Sequence, residues 1–297
     1  MRTYAYYPGC SLESLSMSYH QSALETAKEL DIELREIEDW NCCGATAYFH
    51  ADELLAYTLV ARNLAIAEKD GLDFVAPCSG CYKNAYFTNK YLREDPELAD
   101  HINFALEADN LHIGGTTNVL HLIEVYVNDI GLDGIKNKVT RPLKDVRVAP
   151  YYGCQLVRPR KDHEDTENPQ LFEELISAIG AEAVKYNSKT RCCGGSLIIT
   201  NRDAALDMVY KLLLDAEKND TDVIATICPL CNVNLEVYQK HVNREFGTHF
   251  SIPVMYFTQI LGIALGIAPG RLGIGKEMVS AAPVLNILQS AESGKPL

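Results

Sequence analysis

A pattern of five cysteines occurs twice in this chain and leaves no cysteine over. The first copy is Cys10, the adjacent Cys42 and Cys43 followed by Gly44, and the Cys-x-x-Cys of Cys78 and Cys81. The second is Cys154, Cys192 and Cys193 followed by Gly194, and Cys228 with Cys231. In both copies 34 residues separate the paired cysteines from the Cys-x-x-Cys, while the first spacer is 31 residues in one copy and 37 in the other. At 297 residues the chain is long enough for two domains that each bury a core. The repeat places them at residues 1–145 and 146–297.

Hydrophobic periodicity gives each half the same order of elements. Arg2 to Tyr7 reads as a strand running into Pro8-Gly9 and Cys10. Ser16 to Leu30 reads as a helix with Met17, Leu24, Ala27 and Leu30 on one side, and Ile32 to Ile37 as a second strand. Asp52 to Lys69 is a capped helix, Phe74 to Ala76 a strand, Lys83 to Tyr91 and Pro96 to Ala108 helices, and Val119 to Ile130 a further helix. The polar stretch Gly131 to Asp145, with two glycines and a proline, reads as the linker. The plan then restarts: Val146 to Ala149 leads into Tyr151-Tyr152-Gly153-Cys154. A helix follows over Leu171 to Ile179, a strand over Ala183 to Tyr186, a helix over Asn201 to Asn219 and a strand over Val223 to Ile227. Val254 to Gly266 matches Val119 to Ile130. Strands alternating with helices predict an α/β fold of two tandem repeats, each a small parallel sheet covered by helices, the two related by pseudo-two-fold symmetry. In such sheets the loops after the strand C-termini share one edge, so five thiols per half are expected to converge there.

The composition bounds the setting. No apolar run reaches the roughly 18 residues needed to span a bilayer, and the N-terminus lacks the plan of a signal peptide, so the expectation is a cytoplasmic protein with no direct membrane insertion. A net charge of −13 argues against nucleic acid as a partner. In a reducing compartment, patterned cysteines point to metal binding or catalysis over structural disulfides. Zinc closes its shell with four ligands, commonly two Cys-x-x-Cys pairs, and each half here has one such pair and five thiols. A cubane cluster also takes four thiolates, so the fifth suggests a bridging or exchangeable ligand. Zinc, an iron–sulfur cluster, redox disulfides and a buried structural set are the candidate roles, and the count favours an iron–sulfur site in each half. Adjacent cysteines, about 3.8 Å apart at Cα, can serve one cluster where the backbone turns sharply, as Gly44 and Gly194-Gly195 allow.

The arrangement resembles the CCG-domain family, and a stand-alone chain with two complete copies is most similar within it to the catalytic B subunits of heterodisulfide reductases. The resemblance spans Tyr7 to about Ala268. It implies two noncubane [4Fe-4S] clusters, one held by Cys10, Cys42, Cys43, Cys78 and Cys81 and the other by Cys154, Cys192, Cys193, Cys228 and Cys231. It also implies reduction of the coenzyme M–coenzyme B disulfide to two thiols between the two clusters, each iron site taking one sulfur as the bond breaks. Electrons would come from two further members of the same complex, a small ferredoxin-like iron–sulfur protein and a flavin-containing one, since this chain has no dinucleotide fingerprint and no spare cysteines. Wider members of the family suggest the alternative: a component of a sulfur-metabolising or dehydrogenase complex that acts on another disulfide or persulfide, or passes electrons to a quinone.

A substrate bearing sulfonate, phosphate and carboxylate groups requires local positive charge. Arg158, Arg160 and Lys161 follow Cys154, and Lys189 and Arg191 precede Cys192; Arg158 and Arg191, nearest the ligands, are the expected substrate-binding residues. His20, His50, His121 and His163 are candidate proton donors whose ordinary role is surface or core. Tyr6, Tyr7, Tyr151, Tyr152 and Trp40 read as packing residues.

Overall fold

The computed structural model describes residues 1–45, 47–157 and 165–293. Its contacts divide the chain into two units: Met1–Leu15 with Asp31–Val125, and Ser16–Leu30 with Tyr126–Leu297.

In the first unit, β1 (Arg2–Tyr6), β2 (Ile32–Glu36), β3 (Phe74–Ala76) and β4 (Val119–His121) form one sheet in the order β2-β1-β3-β4, and every neighbouring pair is parallel. Ala5 lies opposite Phe74 and Val75 opposite Leu120. Strand β3 is apolar and buried along its whole length, as a sheet covered on both faces requires. The Glu53–Lys69 helix is started by Asp52, whose carboxylate accepts the Leu55 N–H at 2.9 Å, and it buries Ala56, Val60, Ala61 and Leu64 at helical spacing. Tyr4, Tyr6 and Tyr7 are fully buried, with Tyr7 stacked on Phe74 at 5.4 Å.

The second unit repeats the plan. Strands β5 (Arg147–Tyr151), β6 (Glu182–Ala183), β7 (Val223–Thr226) and β8 (Val254–Tyr256) give the order β6-β5-β7-β8, again all parallel. The Arg202–Lys218 helix starts at Asn201, which accepts the Ala204 N–H. Both sheets and their helices are the mixed α/β architecture read from the sequence.

Five readings change in detail. The Met17–Glu29 helix belongs by its contacts to the second unit, and its buried stripe is Tyr19, Ser22, Ala23, Thr26 and Ala27, while Met17 and Leu24 face solvent. The stripe is partly polar because its hydroxyls are satisfied internally: Ser22 pairs with Thr258 at 2.6 Å and Thr26 with Tyr126 at 2.9 Å, and Tyr19 stacks on Tyr256 at 4.2 Å. Val119 to Ile130 is not one helix. It opens as β4, turns at His121 through a capping box with Glu124, and continues as helical turns. Val254 to Gly266 opens in the same way as β8. The linker stretch contains a helix over Leu132–Lys138 that closes on Ile135. Trp40 is half-buried, its ring edge-on to Tyr7 at 5.4 Å and its N–H donated to Glu36.

Candidate metal centres

Both sheet orders put the first strand of the unit beside the third, with the second strand outside. The winding reverses at that point, so the loops after β1 and β3, and after β5 and β7, part to leave a crevice at the C-terminal edge. Cys10 lies on the loop after β1, Cys42-Cys43 on the loop after β2, and Cys78 directly after β3. Cys154, Cys192-Cys193 and Cys228 follow β5, β6 and β7 in the same way.

The crevice is closed by contact between backbone and sulfur. Gly9 has φ +70, and a Cβ there would lie 3.1 Å from Cys81 Sγ; Gly153 has φ +66, and its Cβ would lie 3.1 Å from Cys231 Sγ. Glycine is therefore required twice over at each position, by conformation and by space. Cys78 is the N-cap of the Ser79–Glu94 helix and Cys228 that of the Pro229–Val237 helix, so Cys81 and Cys231 stand in the first turns. The exposed N–H groups and partial positive charge of a helix start favour thiolates there.

The thiols of each unit touch one another. In the first, Cys42 Sγ is 3.8 Å from Cys10 Sγ and Cys43 Sγ 3.3 Å from Cys81 Sγ, and Cys42 with Cys43 and Cys81 with Cys78 are also hydrogen-bonded. In the second, Cys193 Sγ is 3.4 Å from Cys231 Sγ, with Cys154 bonded to Cys192 and Cys231 to Cys228. None of the ten is in a disulfide. The hydrogen bonds from Cys42 and Cys81 hold the Cys43 thiol well below its ordinary range, against the effect of burial, and the Ala45 and Asn84 N–H groups add to this. Cys81 is pushed up by its bonds to Cys43 and Cys78 and then by burial, and Cys231 likewise by Cys193, Cys228 and burial. Cys154 is raised first by Cys192 and next by burial. In the first unit the donated thiol hydrogen bonds thus favour the charged form of Cys43. Five thiolates this close need a cationic centre to coexist.

Among the described residues, no three His, Cys, Asp or Glu side chains are grouped to hold one metal ion. The thiols meet instead through hydrogen-bonded contacts, a continuous run of five in the first unit and two sets in the second. Five soft sulfur ligands in a glycine-walled crevice, fed by a helix start, fit a polynuclear iron–sulfur group.

Two side chains in each unit outside the cysteine pattern, an asparagine and a tyrosine, shape the crevice. Asn84, three residues beyond Cys81, donates its side-chain amide to the carbonyls of Cys43 (3.1 Å) and Ala45 (2.9 Å). Asn234, three beyond Cys231, does the same to Cys193 (2.9 Å) and Gly195 (3.0 Å). The Tyr7 hydroxyl donates to Asn41 O at 2.9 Å and that of Tyr151 to Arg191 O at 2.7 Å, fixing the residue before each cysteine pair. Burial first, and then the charge on nearby cysteines, push both phenols above the ordinary tyrosine range, so each stays a donor. A Cys-x-x-Cys-x-x-Asn in both copies and the tyrosine three residues before each first cysteine were the available signals.

Of the expected basic residues, Arg191 is exposed and lines a cavity with Cys192. Arg158 lies outside the described residues, as do Arg160, Lys161 and His163. Lys189 is buried, ion-paired with Glu173 and bonded to Pro169 O at 2.7 Å, so it is tied into the core of the unit; its own carbonyl accepts the N–H groups of Tyr152 and Gly153. His50 is exposed and His20 half-buried, while His121 is fully buried. His121 Nδ1 accepts the Ile123 N–H, which leaves the ring proton on Nε2, 3.4 Å from the hydroxyl of Ser79 inside the first Cys-x-x-Cys.

The profile of the CCG family, "Cysteine-rich domain", matches residues 4–84 and again residues 148–236. The chain is 33% identical over 282 residues to the 8-methylmenaquinol:fumarate reductase membrane anchor subunit of Wolinella succinogenes, covering 94% of this chain and 98% of that one. It is equally 33% identical, over 291 residues, to the B subunit of the ferredoxin:CoB-CoM heterodisulfide reductase of Methanosarcina mazei, covering 96% and 97%. A crystal structure of a hypothetical protein from Helicobacter pylori shares the fold, with a TM-score of 0.76 at 14% identity over 94% of this chain; the chain spans 52% of that one. No helix among the described residues is long and apolar enough to cross a membrane. With both cysteine quintets inside the matched segments and full-length relatives beside them, the chain belongs to the CCG cysteine-rich domain family, among proteins of the heterodisulfide reductase B-subunit type.

Proposed function

We propose that the chain is the disulfide-reducing component of a cytoplasmic oxidoreductase complex, with the coenzyme M–coenzyme B disulfide as substrate. Two noncubane [4Fe-4S] clusters serve it. Cys10, Cys42, Cys43, Cys78 and Cys81 hold one, and Cys154, Cys192, Cys193, Cys228 and Cys231 the other. The single observation that supports this reading is the recurrence, at the crevice of each sheet, of five cysteines whose thiols meet one another. A bound cluster supplies one-electron chemistry and an open iron site for sulfur. The rest is supplied by the protein: Asn84 and Asn234 clamp the loops that carry the paired cysteines, Tyr7 and Tyr151 fix their approach, and His121 keeps a proton on Nε2 against Ser79. The overall reaction takes a disulfide, two electrons and two protons to two thiols. Two partner proteins, one ferredoxin-like and one carrying flavin, deliver the electrons; the relatives are themselves subunits of oxidoreductases.

The equal likeness to a component of an 8-methylmenaquinol:fumarate reductase favours one other reading, electron exchange with a quinol. Electron paramagnetic resonance of the anaerobically oxidised protein separates them. A new cluster signal with coenzyme M thiol, absent with other thiols and with menaquinol, is the expected result. A response to menaquinol alone supports the quinol reading. Zinc in place of iron on elemental analysis refutes both.

A further inference from the structure

The two units carry opposite charge beside their cysteine pairs, and the difference is visible at equivalent positions. Asn41 and Arg191 each stand immediately before the paired cysteines. Arg62 and Lys211 each stand ten residues after the caps, Asp52 and Asn201, of the helices that follow. In the first unit Arg62 is consumed locally: it pairs with Asp39 and with Asp109 (2.6 Å) and donates to Asp39 O at 2.6 Å. The cavity on that side, of about 460 Å³, is lined by Glu13, Glu36, Glu38, Asp39 and Trp40, with no basic side chain in its lining.

The second unit inverts this. Two cavities of about 280 and 300 Å³ share Arg191 and Lys211. One adds Cys192 over an apolar floor of Met208 and Leu212, and the other adds Lys218 and Asp215. The Asp215 carboxylate already accepts the Ser188 N–H at 2.8 Å and the Asn219 amide at 3.2 Å, and Lys211 touches Asp207 at 2.6 Å on the exposed helix face. Three cations therefore outnumber the two carboxylates around one groove in a chain whose net charge is −13. That groove has an apolar wall, cationic rims and a candidate metal ligand at its end.

We infer that the groove of Arg191, Lys211 and Lys218 is an anion subsite that binds the sulfonate or carboxylate end of a small thiol, its short carbon chain lying on Met208 and Leu212 toward Cys192. The assignment rests on the proposed function and adds to it which unit selects for charge. The first unit, with its acidic cavity, is the side on which the same anion is repelled.

Two thiols of equal length, 2-mercaptoethanesulfonate and 2-mercaptoethanol, test the inference by equilibrium binding to the purified full-length protein. The sulfonate is expected to bind about tenfold more tightly, the effect of one or two partly exposed charge-assisted contacts. The preference shrinks as salt is raised. Arg191→Gln with Lys211→Gln brings the ratio toward one while the neutral thiol and the iron content are unaffected; Lys90→Gln, a change of charge in the first unit, leaves it intact. Both altered side chains are exposed, so the core is not opened. No preference in the unaltered protein, or one that survives the double substitution, overturns the inference. So does loss of affinity in the double variant for an acidic ferredoxin alone, which reassigns the groove to protein docking. Ethanesulfonate, which has no thiol, reads the groove whether or not iron is bound: saturable binding abolished by the double substitution upholds the subsite even where the cluster reading fails, and no such binding ends it.

Discussion

The side-chain amide of Asn234 lies 2.9 Å from the carbonyl oxygen of Cys193, and the same nitrogen is 3.8 Å from the cysteine's sulfur. Asn84 stands in the same relation to the Cys43 carbonyl. The loop bearing the paired cysteines turns through left-handed glycines, Gly44 at φ +71 and Gly194 at φ +88, and has no strand or helix of its own to hold it there. One asparagine on the neighbouring helix does so by donating two hydrogen bonds.

Replacing Asn234 with alanine leaves the buried Cys193 carbonyl and the part-buried Gly195 carbonyl short of a donor, at a cost of about 1–3 kcal/mol. The expected outcome is a lower melting temperature and loss of iron from the second unit only, so that total iron falls by about half. Asn84→Ala mirrors it in the first unit. Iron analysis beside thermal unfolding reads both; a variant that keeps its full iron content removes the asparagine from the site.

Gly153 offers a sharper comparison. Alanine in the left-handed region costs about 1–2 kcal/mol wherever it is placed. At Gly71, φ +65, a Cβ meets nothing within 4 Å, so Gly71→Ala is expected to show that cost alone and to retain iron. At Gly153 the added carbon also sits 3.1 Å from Cys231 Sγ. Gly153→Ala should therefore lose stability to a similar degree and lose cluster iron as well. Equal iron in the two variants would show that the sulfur yields freely.

How much of this was legible follows from what each residue does. The ten cysteines, the strands before them and the capped helices after Asp52 and Asn201 are set by spacing and local chemistry, which a sequence displays. Strands β4 and β8 are three residues each, too short to show alternation, and each runs directly into an apolar helix, so periodicity merges them. Met17 and Leu24 looked like the buried face of their helix because hydrophobicity marks burial only when partners are apolar. Here the helix docks through Ser22 and Thr26, whose value depends on Thr258 and Tyr126, at least 100 residues away. Lys189 counted among the basic residues near the cysteines, and nothing in its local sequence shows Glu173, which neutralises it in the fold. The asparagine clamps were readable, as Cys-x-x-Cys-x-x-Asn occurs in both copies, but their targets were not.

Tyr126 gives the fold a pH limit. It is fully buried, its hydroxyl bonded to Thr26 and to Ala23 O at 3.1 Å, and burial raises its pKa against the smaller opposing effect of Thr26. In the unfolded chain the phenol titrates near pH 10. A folded pKa above the unfolded one means that this contribution is whole below about pH 10 and is lost as pH rises further, because only the unfolded state can shed the proton. Stability measured by denaturant is expected to fall above that pH, and less steeply in Tyr126→Phe. Parallel slopes in the two proteins would place the alkaline limit elsewhere.

Trp40 makes the first unit separately observable. It is the only tryptophan in the chain, two residues before Cys42, and its ring meets Tyr7, whose hydroxyl fixes the loop at Asn41. A coloured, redox-active cluster at that range quenches indole emission by energy and electron transfer. Chelating the iron anaerobically should therefore raise tryptophan fluorescence, and restoring iron and sulfide should lower it again. Cys81→Ser, which removes a buried ligand of the first unit, is expected to give the bright emission from the start and little response to chelator. Cys231→Ser, the matching change in the second unit, should remain quenched and respond like the unaltered protein. Emission that follows Cys231 and ignores Cys81 would mean that Trp40 reports the fold and not the cluster beside it.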